Sequence, residues 1–277
     1  MAAAIAAAYL PVIWSLAVLS RTDRYYGYLA LVVPVFALMV WASRDLRQGF
    51  AGRRRSLGLP VVVTGGVMLV LGHATASLPL QSLSLVVAAV GVAVWLRGTD
   101  WARSAAYPLT FLLLLVPVPR AVFDAVTLDV QRFLTRSAGA ILAAAGIPVR
   151  LEEVAILLPD VTLQIVESCN GLRFLMGLVV LVIGIAGILV PSLWRRLLLI
   201  ALIVPVGISA NVVRITGTGL AAYWFGTDAA EGTAHEIMSK TVWIATLVSL
   251  VGLAWCLGRA RELPAAAIRQ DASIPSR

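Results

Sequence analysis

The sequence is poor in charge, almost devoid of lysine, and short of the side chains that bind metals. Asp, Glu, Lys and Arg make up 13% of its 277 residues, against roughly a quarter in a soluble domain. Lys240 is the only lysine, so arginine carries the formal charge of +8. A nucleic-acid-binding domain would gather such residues on one solvated face. Here they fall in short segments between apolar runs, and no nucleic-acid partner is expected. Two cysteines, Cys169 and Cys256, and two histidines, His73 and His235, are far apart in the chain. There is no C-x-x-C pair, which argues against a structural zinc site, and a disulfide between cysteines of different apolar segments is not expected. The metalloprotease pattern H-E-x-x-H is also missing, because His235-Glu236-Ile237-Met238 runs into Ser239. Gly207-Ile208-Ser209 is followed by Ala210, so a G-x-S-G serine site is absent, and no pair of intramembrane aspartates exists. Neither metal nor cofactor is expected.

What the sequence does have is apolar length. Hydrophobic residues make up 60% of the chain, and a spanning helix needs about 20 of them in a row. Eight segments are predicted to cross the bilayer: 3–19, 26–42, 57–74, 80–96, 105–118, 172–190, 197–223 and 241–257. The fifth is short and ends at Pro117 and Pro119. The N-terminus is apolar but has no basic leader or small-residue cleavage site, so it reads as a retained first span. The fold class expected is therefore an all-α polytopic membrane protein forming one membrane domain over 1–277. Four N-terminal spans occupy 1–104, a core 105–257 with an insert 119–168, and a tail 258–277.

Arginine placement orients these spans. Arg44, Arg47, Arg53, Arg54 and Arg55 follow the second, Arg97 and Arg103 the fourth, and Arg195 and Arg196 the sixth. Arg259, Arg261, Arg269 and Arg277 lie in the tail. Eight spans with both termini cytoplasmic put all of these inside, as the positive-inside rule requires. The acidic residues Asp124, Asp129, Glu152, Glu153, Asp160, Glu167, Asp228, Glu231 and Glu236 then fall outside, with Arg21 and Arg24 running against the rule. In the insert, Phe123, Val126, Val130 and Phe133 recur at helical spacing, which predicts an amphipathic helix lying in the outer interface, or else a short re-entrant or core helix. Val161, Leu163 and Ile165 alternate with Thr162 and Gln164. With a turn at Pro159-Asp160, this predicts a small extracytoplasmic β-hairpin with a first strand near 154–158, leading into Cys169.

Three residues from consecutive spans converge on the outer half of the bilayer. Cys169, in Glu167-Ser168-Cys169-Asn170-Gly171-Leu172-Arg173, stands where a helix begins. There Ser168 or Asn170 can cap the helix, and the helix dipole favours a thiolate, the form that attacks acyl groups. The alternative is a small buried apolar cysteine. Arg214, in Asn211-Val212-Val213-Arg214, lies inside a span, at a cost of about 2.5–3.5 kcal/mol. It can hold an oxyanion or a substrate carboxylate, or pair structurally with Glu167. Arg173 falls one turn after Cys169, where it can act on the thiol or snorkel to the headgroups. His235, just before the last span, titrates near neutrality and can carry a proton. His73 and Cys256 have no such company and read as incidental.

These motifs resemble the exosortase/archaeosortase family. The resemblance rests on Glu167 to Arg173, Asn211 to Arg214 and His235, with Pro117-Val118-Pro119 and Gly146-Ile147-Pro148-Val149 upstream. It covers roughly Pro108 to Leu257. Many members carry Ala-Cys-Ser-Gly where this chain has Ser168-Cys169-Asn170-Gly171, which keeps the thiol and the glycine. The resemblance implies a multi-pass thiol protease and transpeptidase of the bacterial inner membrane that faces the periplasm. Its partners would be membrane-anchored proteins with a C-terminal sorting signal of PEP-CTERM type (a motif, a transmembrane helix and a basic end), often in exopolysaccharide-producing cells. Cys169 would form a thioester, Arg214 would stabilise the oxyanion or orient the chain, and His235 would protonate the leaving amine. Glu167, Asn170, Arg173 and Asn211 would support them. The acceptor would be water, a lipid or a glycan, and a monomer is assumed. The alternative is a non-catalytic transporter or polysaccharide-assembly protein that uses Arg214 to bind its cargo.

Overall fold

The computed structural model describes residues 2–43, 54–159, 161–165, 172–226 and 232–259. Glu167, Cys169 and Asn170 lie outside the described residues. So do the turn residue Asp160, Asp228, Glu231, the loop arginines Arg44, Arg47 and Arg53, and the tail arginines Arg261, Arg269 and Arg277.

A helix stands at each of the eight predicted segments. In chain order the described helices are α1 (Ala2–Thr22), α2 (Leu29–Ala42), α3 (Gly58–Ala74), α4 (Leu78–Arg97), α5 (Thr99–Ser104), α6 (Ala106–Phe111), α7 (Arg120–Ala144), α8 (Leu172–Leu189), α9 (Leu193–Phe225) and α10 (Gly232–Arg259). By length and composition, four stretches can cross a membrane: Arg55–Ala74, Leu78–Arg97, Leu193–Phe225 and His235–Arg259. A fifth span arises if the bent pair Ala106–Leu115 and Arg120–Ala144 counts as one, while Leu29–Ala42 and Leu175–Leu189 are apolar but shorter. The structure therefore supports a helical, multi-pass membrane protein with four or five spans of full length among the described residues.

Glycine spacing explains the N-terminal hairpin. Lipid supplies no hydrophobic drive between helices, so close backbone packing has to hold them together. Gly58, Gly65 and Gly72 repeat every seven residues along one edge of α3 and are buried there. They face Gly91, Ala88 and Gln81 of α4, and a Cβ on Gly65 would lie 3.0 Å from the Ala88 backbone nitrogen. Ser77 caps α4 with Pro79 in its first turn, and the Gln81 side-chain amide donates to the Gly72 carbonyl at 3.0 Å.

The fifth predicted segment is broken. α6 passes into a 3-10 turn at Leu112–Leu115, and the chain then turns through 86° at Pro117–Pro119 into α7. Proline removes donors and fixes the backbone, which places the bend there. Tyr26 Oη donates to the Val118 carbonyl at 2.7 Å, and Arg120 pairs with Asp23 at 2.8 Å, tying the bend to the α1–α2 junction.

α7 forms where the amphipathic helix is predicted, and the face it packs against the protein differs from its apolar stripe. Phe123 is buried, but Val126 and Phe133 are about half exposed. The buried stripe runs instead through Phe123, Thr127, Gln131, Leu134, Thr135, Ala138 and Leu142. Hydroxyls allow this because Thr127 and Thr135 donate to carbonyls one turn back, at 2.7 and 2.9 Å, and so enter the packed face without an unmet donor. α7 ends at Gly146, whose φ of +83° suits a residue without Cβ. The Gly146 and Ile147 amides donate to the Ala143 and Leu142 carbonyls at 3.0 and 3.1 Å, closing the last turn.

The predicted hairpin is a three-stranded antiparallel sheet in the order β1 (Arg150–Glu152), β2 (Ala155–Leu157), β3 (Thr162–Gln164). β2 and β3 form the expected hairpin, with Ile156 opposite Leu163. The missed strand, β1, is exposed on all three residues, so it carries no alternation to read. Arg132 of α7 pairs with Glu153 in the β1–β2 turn, and Gly139 makes room for Leu151.

α8 joins the two halves. Its Gly184 and Gly187 face Val35 and Met39 of α2 and Tyr107 of α6, while Leu178, Val182 and Ala186 pack with α9 and α10. Arginines close one end of this bundle. Arg196 Nε donates to the Val190 carbonyl at 2.6 Å, and Arg195 Nη1 to the Leu257 carbonyl at 2.9 Å. These guanidinium groups satisfy carbonyls that helix ends leave unpaired.

Replacing Gly65 by Leu should cost at least about 1–3 kcal/mol through overpacking against the Ala88 backbone. A lowered thermal midpoint of the detergent-solubilised protein is the expected reading, and an unchanged midpoint would refute the packing argument.

Candidate active site

α9 is the axis of the site. It runs 33 residues, long enough for its two halves to have different neighbours. Its N-terminal half packs with α8 and α10 through Leu199 and Ile203. Its C-terminal half packs with α7 and the sheet through Ile208, Val212, Ile215 and Ala222. Gly219 permits that second contact, since a Cβ there would lie 2.8 Å from Leu142 Cδ1. Arg214 sits in this half, eleven residues before the last residue of α9, or roughly 16 Å along the axis at about 1.5 Å per residue.

Arg214 is buried, 4% exposed, and Asn211 one turn earlier is 7% exposed. Both line a cavity of about 40 Å³ with Leu175 and Leu178 of α8, Gly207 and Ala210 of α9, and Ser239, Val242, Trp243 and Thr246 of α10. Three helices thus line a small, mostly apolar, half-open pocket with a guanidinium in its wall. In such surroundings a fixed cation acts with little screening.

His235, expected just before the last span, is part of the same helix as that span. It lies in the first turns of α10, six residues before the predicted start of the span. The ring is half-buried and its Nε2 is 3.5 Å from Ser239 Oγ, one turn further along. Its Nδ1 is buried and has no hydrogen-bond partner among the described residues. The Arg214 charge acts on this ring across the α9–α10 contact. Gly217 keeps that contact close, because a Cβ there would come within 3.3 Å of Met238 Sδ.

Two of the three predicted catalytic residues, Arg214 and His235, stand on the packed helices α9 and α10, and Ser239 connects them, bonding His235 and lining the pocket with Arg214. The third, Cys169, and the supporting Glu167 and Asn170 lie outside the described residues. The flanks of that stretch are placed. Ile165, at the end of the sheet, is buried with Ile215 of α9, and Leu175, near the start of α8, lines the cavity. Arg173 falls in the first turn of α8. His73 bonds its own helix, Nδ1 to the Leu69 carbonyl at 2.9 Å, and Cys256 is an exposed free thiol. Among the described residues no group of three metal-binding side chains occurs. Ser239, Trp243 and Thr246 were not singled out in the sequence. The available signal was the four-residue spacing from His235 to Ser239, which places both on one helix face.

The family model described as Transmembrane exosortase (Exosortase_EpsH) matches residues 19–264. The match extends well ahead of Pro108, so the second, third and fourth predicted spans fall inside it. No curated protein and no solved structure matched.

Gly207→Leu should fill the chamber, since even a Cβ at that position lies 2.7 Å from the mobile end of Leu175. We expect turnover to fall by at least about tenfold, with a stability cost at the low end of the usual range of about 1–3 kcal/mol for overpacking, as the nearest atom is the flexible end of Leu175. Full activity in a well-folded Gly207→Leu protein would show that the cavity is not used.

Proposed function

Because the chain belongs to the transmembrane exosortase family, we propose that it is a membrane-embedded cysteine peptidase and transpeptidase that removes the C-terminal sorting tag of exported proteins. The observation that carries this reading is the buried Arg214 in the wall of a pocket between α8, α9 and α10, with Ser239 of the same wall 3.5 Å from His235 Nε2. The segment holding Cys169 connects two points that flank it, Ile165 and Leu175.

The reaction runs in two acyl transfers. His235 takes the thiol proton, and the Cys169 sulfur attacks the scissile carbonyl carbon. Arg214 holds the resulting oxyanion, where a preorganised cation in a dry site is most effective. The tetrahedral adduct collapses as His235 returns the proton to the leaving amine, which departs with the tag and leaves a thioester. Water or an acceptor nucleophile then gives its proton to His235 and displaces the sulfur. The transmembrane helix of the substrate brings the bond to the depth of Arg214, which supplies proximity. Glu167, Asn170, Arg173 and Asn211 support the three.

Orientation follows from charge. Arg195, Arg196 and Arg259 stand at one end of α8, α9 and α10, and Arg214 and His235 lie toward the other. The positive-inside rule places the arginine end in the cytoplasm. The reacting groups then face the periplasm of a bacterial inner membrane, and α7 lies in the outer interface.

Cys169→Ala and Cys169→Ser should abolish tag removal in cells that express a tagged substrate, with the variants present in the membrane at normal levels. Arg214→Ala should lower turnover by about 10²–10³-fold, the usual loss when an oxyanion donor is removed, and His235→Ala by about 10²–10⁴-fold. Undiminished processing by Cys169→Ala would end the assignment.

A further inference from the structure

Hydroxyl groups on these helices have a common habit. On α10 itself, Thr241, Thr246 and Ser249 each donate to the carbonyl one turn earlier, at 2.9, 2.7 and 2.8 Å. Ser239 departs from it. Its Oγ lies 3.5 Å from His235 Nε2, and this is its one side-chain hydrogen bond among the described residues. The same serine lines the Arg214 chamber. The other ring nitrogen, Nδ1, is buried and has no partner among the described residues. A histidine whose one nitrogen is held is fixed in its tautomer, and the other nitrogen is free for proton transfer.

We propose that Ser239 is a positioning residue for His235: its Oγ accepts the Nε2–H, which leaves the Nδ1 lone pair aimed at the reacting groups. The inference rests on the reading of Cys169 and His235 as nucleophile and base. When Nδ1 takes the thiol proton, the ring becomes an imidazolium and Nε2–H remains bonded to Ser239, so the hydroxyl favours the charged pair. Serine acts here as carboxylates and carbonyls do in other such sites, but as a neutral acceptor, which adds no second charge near Arg214. Among the described residues the charged groups around the ring are few. Arg214 acts on it from α9. Glu236 and Lys240 on α10 are exposed and pair with each other at 2.8 Å. From α8, the described residues lining the chamber are Leu175 and Leu178.

The test reads the thiolate directly and needs no substrate. In the full-length protein carrying Cys256→Ser, the rate of Cys169 alkylation by N-ethylmaleimide is followed from pH 5 to pH 9. Ser239→Ala should slow labelling at pH 6 by about 5-fold, the size of one lost neutral hydrogen bond, and leave the rate at pH 9 unchanged. Ser239→Thr should restore the profile. His235→Ala should slow labelling at pH 6 further, and adding Ser239→Ala to it should change nothing more. If His235→Ala alters the profile and Ser239→Ala does not, or if the two effects add, the positioning role is wrong while the catalytic reading stands. If His235→Ala leaves the profile untouched, the catalytic reading fails and takes this inference with it.

Discussion

A guanidinium buried in the middle of an apolar helix is the constraint around which this protein is arranged. Arg214 is 4% exposed in a 33-residue helix whose other buried residues are mostly small or apolar. Placing such a cation in lipid costs several kcal/mol, and a chain bears that cost where the charge faces protein or a polar chamber. The surrounding architecture meets this requirement. α7 and the sheet cover one side of the C-terminal half of α9, and α8 and α10 enclose the other. Asn211 and Ser239 bring polar atoms to the chamber wall beside it.

The same constraint explains why glycines recur at the crossings. Gly217 and Gly219 sit on α9 just past Arg214 and face Met238 and Leu142. Each lets a neighbouring side chain approach the α9 backbone closely on the stretch that follows Arg214. α8 uses Gly184 and Gly187 in the same way against α2 and α6, which ties the reacting half to the N-terminal half. The family match beginning at residue 19 agrees with that integration, since the N-terminal helices are part of the packed unit.

α7 and the sheet form one packed unit, joined to each other by Arg132–Glu153 and to the α1–α2 junction by Arg120–Asp23 and Tyr26–Val118. Ile156 and Ile165 of the sheet are almost fully buried between Leu134 and Leu142 of α7 and Ile215 of α9. The chain leaves this unit for α8, so the stretch that includes Cys169 departs from one fixed surface and arrives at another. Catalytic groups held to within a fraction of an ångström need such supports.

Sequence alone was enough for the membrane class, the positions of eight helical segments and the hairpin of β2 and β3, and it made Arg214 and His235 candidates. These follow from signals that are local: apolar length, period, and the cost of a charge in a span. Tertiary structure decided the rest. The exposed strand β1 has no alternation, so only its pairing with β2 reveals it. The packed face of α7 is set by its neighbours and admits Thr127 and Thr135, whose hydroxyls donate to carbonyls one turn back, while Val126 and Phe133 of the apolar stripe stay half exposed. Ser239 drew notice only for breaking a zinc motif, and its place beside His235 and the Arg214 chamber emerged from the packing of α9 against α10. Periodicity reports which residues avoid water, but which of them meet depends on how distant helices cross.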